Sequence, residues 1–409
     1  MNILYLNNFN YIRGGAENVF LTEASLMAKH GNTVHIFSRQ HPNNLRSKYD
    51  NYFPTEMITD SLKPTISGLR SLLQYFYSWD ARKCLFNMLE DICIEIAHAH
   101  NIYGRLTTAV LDILYKQNIP TIMTLHDYKL ICPNYKLMYN GHICEDCKND
   151  KYYMAIRNKC HKKNMIASTI VSLEAYFNHF LNKYRRNVRY FISPSLFLQQ
   201  KLTEFGWPEE QIVYIPNFVI LSEFVPCYAP GKYFLYIGRL SSEKGLPTLI
   251  KAFMKITSAK IGLCIVGEGP IRTHLENMAT VDPRIRFAGY LSGNKLKEIT
   301  RNSRAIIFPS EWYENAPISI LEAFAFGKPV VAAKIGGIPE MIEEGVNGYL
   351  FKSGDVDDLR EKLELMLSMP AKNINEMGQA ARQKVDRKYN PELHYEKLLD
   401  LYHRALGKN

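Results

Sequence analysis

The sequence predicts an α/β protein with two Rossmann-like, doubly wound parallel-sheet domains that face a cleft. Its 409 residues exceed the size at which a single hydrophobic core stops growing, so two domains are expected. Short apolar runs rich in β-formers alternate with longer segments of helical period, which is the pattern of a parallel sheet. This alternation stops near residues 216–231 and then starts again, which indicates two such sheets in succession.

Buried strands are predicted wherever a short apolar run stands between turn residues. In the first half these runs are ILYLN (3–7), TVHIFS (33–38), IAHAH (96–100), TIMTL (121–125), RYFIS (189–193) and IVYIP (212–216). In the second half they are YFLYIG (233–238), IGLCIVG (261–267), RIRFAG (284–289), AIIFPS (305–310) and PVVAA (329–333). We therefore predict a first domain over 1–215, a linker over 216–231, a second domain over 232–388, and a C-terminal helix over 389–409 that packs back on the first domain.

The composition is that of an ordinary folded protein, with 46% hydrophobic and 22% charged residues. No apolar stretch reaches the roughly 18 residues of a membrane span, and the N-terminus lacks the pattern of a secretory signal. We expect a cytoplasmic protein that attaches peripherally to the inner face of the plasma membrane, and reduced or metal-bound cysteines.

The net charge of +10 is concentrated in one stretch rather than spread over the chain. Residues 151–201 hold ten Lys and Arg and one acidic residue, Glu174, so 10 minus 1 gives +9. A local excess indicates an anionic surface or partner for one face, whereas a nucleic-acid groove more often draws on several segments. Within this stretch, residues 165–181 place apolar side chains at helical spacing, and the pattern favours a helix packed on the sheet with a basic end. The apolar positions are Ile166, Ile170, Leu173, Phe177 and Phe180.

Ligands of parallel sheets bind at the carboxyl ends of the strands, so the loops that follow the strands are the candidate sites. Gly14 and Gly15 precede a helical segment, where free N–H groups bind an anion or simply form a turn. Arg239 and Lys244 in GRLSSEKG suit a diphosphate, or they belong to a solvated loop. His126 follows the strand TIMTL, a position open to both a structural and a catalytic histidine.

The segment ENAPISILEA begins at a turn and continues into a helix. Pro317 suits the first turn, and Asn315 and Ala316 present backbone N–H groups at the helix start. Glu314 then lies in the loop and Glu322 lies inside the helix, so the pair can hold a sugar and a ribose. The alternative is a capping glutamate and a surface glutamate.

Cys132, Cys144, Cys147 and Cys160 follow the spacing C-x11-C-x2-C-x12-C in an insertion over about 132–160. Four thiolates suit a closed structural zinc site, because the Cys-x-x-Cys pair chelates one ion and the flanking cysteines complete it. The alternative is four unligated thiols.

Several motifs together resemble the retaining GT-B glycosyltransferases of family 4, also called glycosyl transferases group 1. They are RGGAE, HDY, GRLSSEKG, GEGP, FPSEWYENAPISILEAFAFGKPVVA and GGIPEMIEEGVNGYLF. The resemblance implies transfer of a sugar, with retention of configuration, from a UDP-, GDP- or ADP-sugar to an acceptor hydroxyl. It also implies that catalysis needs no metal and no other cofactor. One departure is IPNFVILSEF, which lacks the family's glycine after Asn217 and leaves the role of that residue open.

The resemblance also implies a role for each motif residue. Arg239 and Lys244 neutralise the leaving diphosphate, with help from the N–H groups at Gly14 and Gly15. Glu314 holds hydroxyls of the donor sugar, and the backbone of Asn315, Ala316 and Pro317 lines the phosphate and sugar. Glu322 binds the ribose, and His126 contacts the donor sugar near the reacting carbon. Glu268 lies near the nucleotide.

We therefore expect an enzyme that adds one sugar to a cell-surface polysaccharide such as a capsule, an O-antigen or an exopolysaccharide. Its partners are a nucleotide-sugar donor, a sugar or lipid-linked oligosaccharide acceptor and an anionic membrane surface, without nucleic acid. The alternatives are an epimerase or phosphorylase of the same fold, and a non-catalytic sugar-nucleotide or zinc-dependent binding protein. The base, donor sugar, acceptor and linkage stay open at this point.

Overall fold

The computed structural model describes residues 1–57 and 66–408, and only the backbone of residues 66–70. The chain forms two compact units. The first comprises residues 1–136, 145–215 and 394–409, and the second comprises residues 137–144 and 216–393. Within the described ranges, no helix combines the length and the apolar character that crossing a bilayer requires.

The first unit is built on a parallel sheet, to which the described residues contribute six strands in the order β2-β1-β3-β4-β7-β8. The strands are β1 (Asn2–Leu6), β2 (Thr33–Phe37), β3 (Ile96–Ala99), β4 (Thr121–Thr124), β7 (Tyr190–Ser193) and β8 (Ile212–Tyr214). Each coincides with a predicted apolar run. The order reverses between β1 and β3, so the loops after these two strands flank the crevice at the carboxyl edge of the sheet.

Helices cover this sheet, and the last helix of the chain belongs to the same core. They are α1 (Gly15–Lys29), α2 (Ile66–Phe76), α3 (Trp79–Asp91), α4 (Ala109–Lys116), α5 (Tyr153–Arg157), α6 (Met165–Phe180), α7 (Lys183–Asn187), α8 (Leu196–Glu204) and α16 (Pro391–Leu406). Leu398, Leu401 and Tyr402 of α16 pack in one buried cluster with Ile3 and Phe20. Burial of these apolar surfaces holds the C-terminal helix in the first unit.

The second unit has a parallel sheet with the strand order β11-β10-β9-β12-β13-β14 in the described chain. Its strands are β9 (Tyr233–Ile237), β10 (Gly262–Val266), β11 (Ile285–Gly289), β12 (Ala305–Phe308), β13 (Val330–Ala333) and β14 (Gly348–Phe351). Counted within the unit, this is the 3-2-1-4-5-6 order of the Rossmann fold. The edge strand β14 has no predicted counterpart, because its apolar run is only three residues long and half of the strand stays partly exposed.

The helices of the second unit pack on both faces of this sheet. They are α9 (Leu246–Met254), α10 (Arg272–Ala279), α11 (Gly293–Arg301), α12 (Ile318–Ala325), α13 (Ile338–Met341), α14 (Val356–Ser368) and α15 (Ala371–Lys388). A short antiparallel hairpin, β5 (Met138–Tyr139) and β6 (His142–Ile143), completes the strands in the described ranges.

Helix α6 buries its polar face and exposes part of the apolar face, which is the reverse of the prediction. Ile166, Leu173 and Phe180, which were expected to face the sheet, are 74%, 51% and 87% exposed. The buried positions are mostly polar and include Glu174 and Asn178. The prediction of an apolar face packed on the sheet is therefore wrong for these residues.

Buried partners explain this orientation. The Glu174 carboxylate lies 2.7 Å from the Lys129 ammonium, and Asn178 Nδ2 donates to Glu174 Oε1 at 2.6 Å. Thr108 in turn donates its hydroxyl to Asn178 Oδ1 at 2.8 Å. Because each of these buried polar groups has a partner, the polar face of α6 is stable inside the unit and the apolar face is left outside.

Candidate functional site

In the second unit, the order of the strands reverses between β9 and β12, so the loops after these strands meet at the crevice of the sheet. The GRLSSEKG segment follows β9, and the segment that leads to ENAPISILEA follows β12. One hydrogen bond joins these loops, and a second comes from α9, the helix that follows the first loop. The Glu311 N–H donates to the Glu243 carbonyl at 2.9 Å, and Thr248 Oγ1 donates to Glu311 Oε1 at 2.6 Å. The two predicted motifs therefore form one site.

Lys244 and Glu314 are ion-paired at the centre of this site. Lys244 Nζ lies 2.7 Å from Glu314 Oε1, and the two side chains are 24% and 12% exposed. Ser310 Oγ donates to the same oxygen at 2.6 Å. Burial alone would raise the pKa of Glu314, but the charge of Lys244 and these hydrogen bonds outweigh it and hold the pKa below its usual range. The carboxylate is therefore ionised, and an anionic ligand would share Lys244 with it.

Two glycines allow the backbones of this site to approach closely. Gly245 has a φ of +65°, and a Cβ at that position would lie 1.9 Å from the Pro309 carbonyl oxygen. Gly336, with a φ of +60°, would place its Cβ 2.2 Å from the Glu314 carbonyl oxygen. Only glycine fits both the conformation and the space, so Gly245 and Gly336 let the chain approach the backbones of Pro309 and Glu314 closely.

Helix α12 begins directly after the predicted loop, with Pro317 at the N-cap. Asn315 is buried, and Asn217 Nδ2 donates to the Ala316 carbonyl at 3.0 Å. Asn217, whose role the sequence leaves open, thus holds the entry to the helix. Glu322 lies half-buried inside α12, and burial, followed by the negative charge of Glu223, raises its pKa. The pKa values of Glu314 and Glu322 are thus shifted in opposite directions.

The remaining predicted residues of the second unit lie at the edge of this arrangement. Arg239 is exposed and forms no ion pair with any described residue. Glu268 is also exposed and pairs with Arg272, while its carbonyl accepts from the Leu240 N–H at 2.9 Å. Close by in sequence, Ser241 Oγ is buried without a hydrogen-bond partner in the described part of the chain.

In the first unit, Gly14 is the N-cap of α1 and Gly15 is its first residue. Both are exposed, and no atom lies within 4 Å of a Cβ built on Gly15. Burial raises the pKa of Glu17 in the first turn, while hydrogen bonds from the backbone N–H groups of Glu17 and Gly14 oppose this rise. An anion that binds at this helix start therefore competes with the chain's own carboxylate.

His126 follows β4 and is part of a hydrogen-bonded pair that the sequence did not predict. Its Nε2 lies 2.9 Å from Nδ1 of His100, which follows β3. Burial, followed by the electrostatic interaction with His100, holds the pKa of His126 well below its usual range, so the ring is neutral. The sequence contained a partial signal, since His98 and His100 are two residues apart and therefore project to the same side of the strand.

A cavity of about 540 Å³ lies at the carboxyl edge of this first sheet. The guanidinium groups of Arg13 and Arg105 lie 4.1 and 4.8 Å from the centre of the Phe9 ring. Burial raises the pKa of Asp127 to about 6. The cavity lining combines these groups with the aromatic side chains of Tyr75, Tyr103 and Tyr135.

The four predicted zinc ligands lie in and around the insertion. Cys132 and Cys147 are buried, and Cys144 and Cys160 are half-buried. Cys147 and Cys160 belong to one small apolar cluster with Tyr152 and Ala155. The Cys144 N–H donates to the Leu137 carbonyl at 2.9 Å within the hairpin. The zinc site stays a prediction.

Two sequence families match the chain. Residues 13–223 match the family described as Glycosyltransferase Family 4, and residues 225–384 match Glycosyl transferases group 1. The first match covers more than half of the chain, and the chain belongs to glycosyltransferase family 4.

Individual relatives match over different lengths. The sulfoquinovosyl transferase SQD2 of Arabidopsis thaliana is 36% identical over 37% of this chain and 30% of its own length. The amylovoran biosynthesis glycosyltransferase AmsK of Erwinia amylovora is 28% identical over 42% of this chain and 44% of its own length. An uncharacterized 42.6 kDa protein in the cps region of Klebsiella pneumoniae is 26% identical over 89% of this chain and 94% of its own length.

Solved structures show the same fold. A glycosyltransferase from Rickettsia africae superimposes with a TM-score of 0.70 at 20% identity, over 100% of this chain and 99% of that one. Anabaena HepE, solved in complex with UDP and glucose, gives a TM-score of 0.69 at 16% identity, over 98% of this chain and 99% of that one. The two parallel-sheet units therefore have the GT-B fold.

Proposed function

We propose that this protein is a retaining glycosyltransferase that moves one sugar from a nucleotide-diphosphate sugar to a hydroxyl of a growing cell-surface polysaccharide. The Lys244–Glu314 pair at the crevice of the second sheet is the observation that carries the proposal. The pair unites a cation suited to a diphosphate and a carboxylate suited to sugar hydroxyls within 2.7 Å. The amylovoran and cps-region relatives support a polysaccharide product.

In this mechanism the bond between the anomeric carbon and the phosphate oxygen breaks while the acceptor oxygen bonds to that carbon from the same face. The acceptor proton passes to the departing diphosphate. Lys244 and Arg239 stabilise the negative charge that develops on the leaving group, so catalysis rests on positioning and electrostatics. Glu314 accepts hydrogen bonds from the donor sugar, Glu322 holds the ribose, and His126 contacts the sugar near the reacting carbon.

The backbone N–H groups around the two helix starts complete the donor site. Those of Asn315 and Ala316 line the phosphate and sugar ahead of α12, and those of Gly14 and Gly15 at the start of α1 bind the diphosphate. Glu268 lies beside the nucleotide. The base is that of UDP, GDP or ADP, and fixed cations replace a catalytic metal.

We assign the acceptor to the cavity at the carboxyl edge of the first sheet. Arginine and aspartate side chains beside aromatic rings are suited to carbohydrate, because they combine hydrogen bonds to hydroxyls with stacking surface. Arg13, Arg105 and Asp127 supply the polar groups of this cavity. The acceptor is a sugar or a lipid-linked oligosaccharide.

The test is release of free nucleotide from a panel of UDP-, GDP- and ADP-sugars in the presence of acceptor extract. Lys244→Ala should lower the rate by more than tenfold, because it removes charge stabilisation of the leaving group. Lys255→Ala is the matched control, since Lys255 forms an exposed ion pair with Asp357 in the same unit. Equal rates for the two variants would refute the assignment. Return of the donor as its epimer would indicate an epimerase, and binding without release would indicate a binding protein.

The exposed face of α6 supports attachment to an anionic membrane. Ile166, Leu173 and Phe180 are seven residues apart and form one exposed apolar stripe on the helix. The preceding segment carries the exposed cations Lys151, Arg157, Lys159 and Lys163. Apolar side chains that insert beside basic groups that attract anionic lipid make up an interfacial binding surface.

Sedimentation with anionic vesicles tests this surface. Changing Lys151, Arg157, Lys159 and Lys163 to Gln should release the protein, and so should high salt. The control replaces the same number of exposed lysines in the second unit, namely Lys232, Lys260, Lys295 and Lys372. Equal retention of both variants on vesicles would contradict the proposal. Lys183 and Arg186 are left intact, because they pair with the buried carboxylate of Asp112.

We also propose that Cys132, Cys144, Cys147 and Cys160 bind one structural zinc ion. Their spacing and the shared cluster of Cys147 and Cys160 support this site. Metal analysis of the purified protein should give about one zinc per chain, which the change of Cys147 to Ser should remove. Four freely titrating thiols in the native protein would refute the zinc site. EDTA should not rapidly abolish transfer, because the proposed metal is not catalytic.

A further inference from the structure

A buried network of hydrogen bonds surrounds Glu23 of α1, which is 1% exposed. Tyr5 donates its hydroxyl to Glu23 Oε1 at 3.0 Å, and His98 Nδ1 lies 3.0 Å from the same oxygen. His394 Nε2 of α16 lies 3.0 Å from Glu23 Oε2. His100 Nε2 lies 3.5 Å from Oε1, and the other nitrogen of His100 contacts His126. The network therefore connects Glu23 to a residue of the proposed donor site.

The charge states along this connection follow from burial and from the neighbouring groups. Burial alone would raise the pKa of Glu23, but the charge of His98 and the contacts of Glu23 with His100 and His394 hold that pKa well below its usual range. Burial lowers the pKa of His100 to about 4 against the opposing attraction of Glu23. The pKa of His126 is also lowered well below its usual range by burial. At neutral pH the Glu23 carboxylate thus faces a neutral His100, which in turn contacts a neutral His126.

These charge states determine where the protons lie. His100 Nε2 lies 3.5 Å from Glu23 Oε1 without hydrogen-bond geometry, and it has no hydrogen-bond partner among the described residues. Because the carboxylate repels a lone pair and attracts an N–H, His100 places its single N–H on Nε2. Its Nδ1 then carries a lone pair. Because His126 Nε2 lies 2.9 Å from His100 Nδ1, His126 places its own N–H on Nε2 and donates it to that lone pair. The lone pair of His126 is left on Nδ1, which becomes a hydrogen-bond acceptor.

We propose that Glu23 is a positioning residue that acts through His100 to fix His126 in the tautomer with a proton on Nε2 and a lone pair on Nδ1. In this tautomer His126 accepts a hydrogen bond from a hydroxyl of the donor sugar and holds the sugar for transfer. The consequence for transfer rests on the proposed function, whereas the tautomer itself does not.

The same cluster has the composition of a metal site, since ligand atoms of Glu23, His98 and His100 lie within 4.8 Å of one another. Most of its ligand atoms are already engaged in hydrogen bonds, whereas His100 Nε2 is buried without a hydrogen-bond partner among the described residues. His98 Nδ1 lies 2.8 Å from the Tyr402 hydroxyl, and His98 Nε2 lies 2.8 Å from Thr124 Oγ1. Glu23 Oε1 accepts a hydrogen bond from the Tyr5 hydroxyl, and Glu23 Oε2 contacts His394 Nε2. Because His98 and Glu23 are satisfied by other groups, the cluster favours a hydrogen-bonded network over a bound ion.

Nitrogen NMR of the histidine-labelled protein tests the tautomer directly, with the His126 signals assigned by their loss in His126→Ala. In the wild type, His126 should carry its proton on Nε2. Glu23→Gln keeps the shape of the side chain but offers an amide N–H to His100, so both imidazoles should shift toward the opposite tautomer. The kcat of that variant should fall about tenfold, the value of one hydrogen bond, with a smaller change in the KM for the donor.

Tyr402→Phe is the matched control, because it removes a hydroxyl from the same buried network away from the path to His126. It should leave the tautomer and kcat unchanged. A wild-type proton on Nδ1, an unchanged His126 in Glu23→Gln, or loss of a bound metal ion in that variant would overturn the proposal. Transfer by His126→Ala at the wild-type rate would instead remove His126 from the proposed function and leave the tautomer to be judged by NMR alone.

Discussion

At the scale of single residues, the two glutamates of ENAPISILEA have different electrostatic surroundings. Glu314 is held ionised by Lys244 and Ser310, whereas burial and Glu223 disfavour the charge of Glu322. The sequence predicted both positions and gave them separate ligands. It did not predict the ion pair, because Lys244 and Glu314 are 70 residues apart and only the sheet order brings their loops together.

The different surroundings predict different effects of substitution. Glu314→Gln should lower turnover with little effect on the affinity for free nucleotide, because the carboxylate contacts the sugar. Glu322→Ala should weaken nucleotide binding by about tenfold, the value of one ribose hydrogen bond. Calorimetric titration with the nucleotide that binds best measures both affinities. Equal loss of affinity in the two variants would rule out this division of roles.

The buried carboxyl group of Asp127 should make the free energy of unfolding depend on pH. Burial raises its pKa to about 6 in the folded protein, above the unfolded value of about 3.9. Between these values the folded state keeps a proton that the unfolded state has lost. The stability of the wild type relative to Asp127→Asn should therefore fall by about 2 kcal/mol as pH rises from about 4 to about 6, and then stay level. Urea unfolding across this range checks the slope, and a constant difference would contradict it.

At the scale of elements, α6 shows what a helical pattern can and cannot predict. Its period correctly indicates a helix, which runs from Met165 to Phe180. The pattern cannot show which side is buried, since that depends on partners far along the chain. Lys129 and Thr108 satisfy the polar side, so that side packs inward. In contrast, the strands were predictable because parallel strands are apolar on both faces.

The orientation of α6 predicts an inverted pattern of stability effects. Glu174→Ala should lower the free energy of unfolding by about 3 kcal/mol, because it leaves the Lys129 charge buried without its carboxylate. Phe180→Ala should change it by less than about 0.5 kcal/mol, because the ring is exposed. Urea unfolding measures both. A loss of about 3 kcal/mol or more for Phe180→Ala, as for a core phenylalanine, would show that the ring is buried.

Helix α16 contributes its buried face to the core of the first unit. Leu398→Ala should lower the free energy of unfolding by about 2–5 kcal/mol through lost contacts and the cavity it leaves. Glu396→Ala on the exposed side of the same helix is the control and should have little effect. Unfolding followed by circular dichroism gives both values. Equal values would mean that α16 does not pack as described.

At the scale of the whole molecule, each unit has its own sheet and its own reversal of strand order. The sequence predicted two sheets because the alternation of runs restarts after residue 231, and it predicted the strand-end loops because parallel sheets bind ligands there. The Glu23 network could not be predicted from the sequence. It joins α1, β3 and α16, and His394 lies 371 residues from Glu23, so no local pattern connects them.

The second unit holds most of the proposed nucleotide site, so nucleotide binding should be visible as stabilisation of the protein without any acceptor. One of UDP, GDP and ADP, at about 100 times its dissociation constant, should add about 2.7 kcal/mol to the free energy of unfolding of the unit that binds it. Thermal unfolding with each nucleotide identifies the base.

The stabilisation should persist in EDTA, because Lys244 and Arg239 rather than a metal face the diphosphate. It should shrink in Lys244→Ala but not in Lys255→Ala. Stabilisation that requires added Mg²⁺ would contradict a site built from fixed cations, and stabilisation by none of the three nucleotides would refute the proposed donor class.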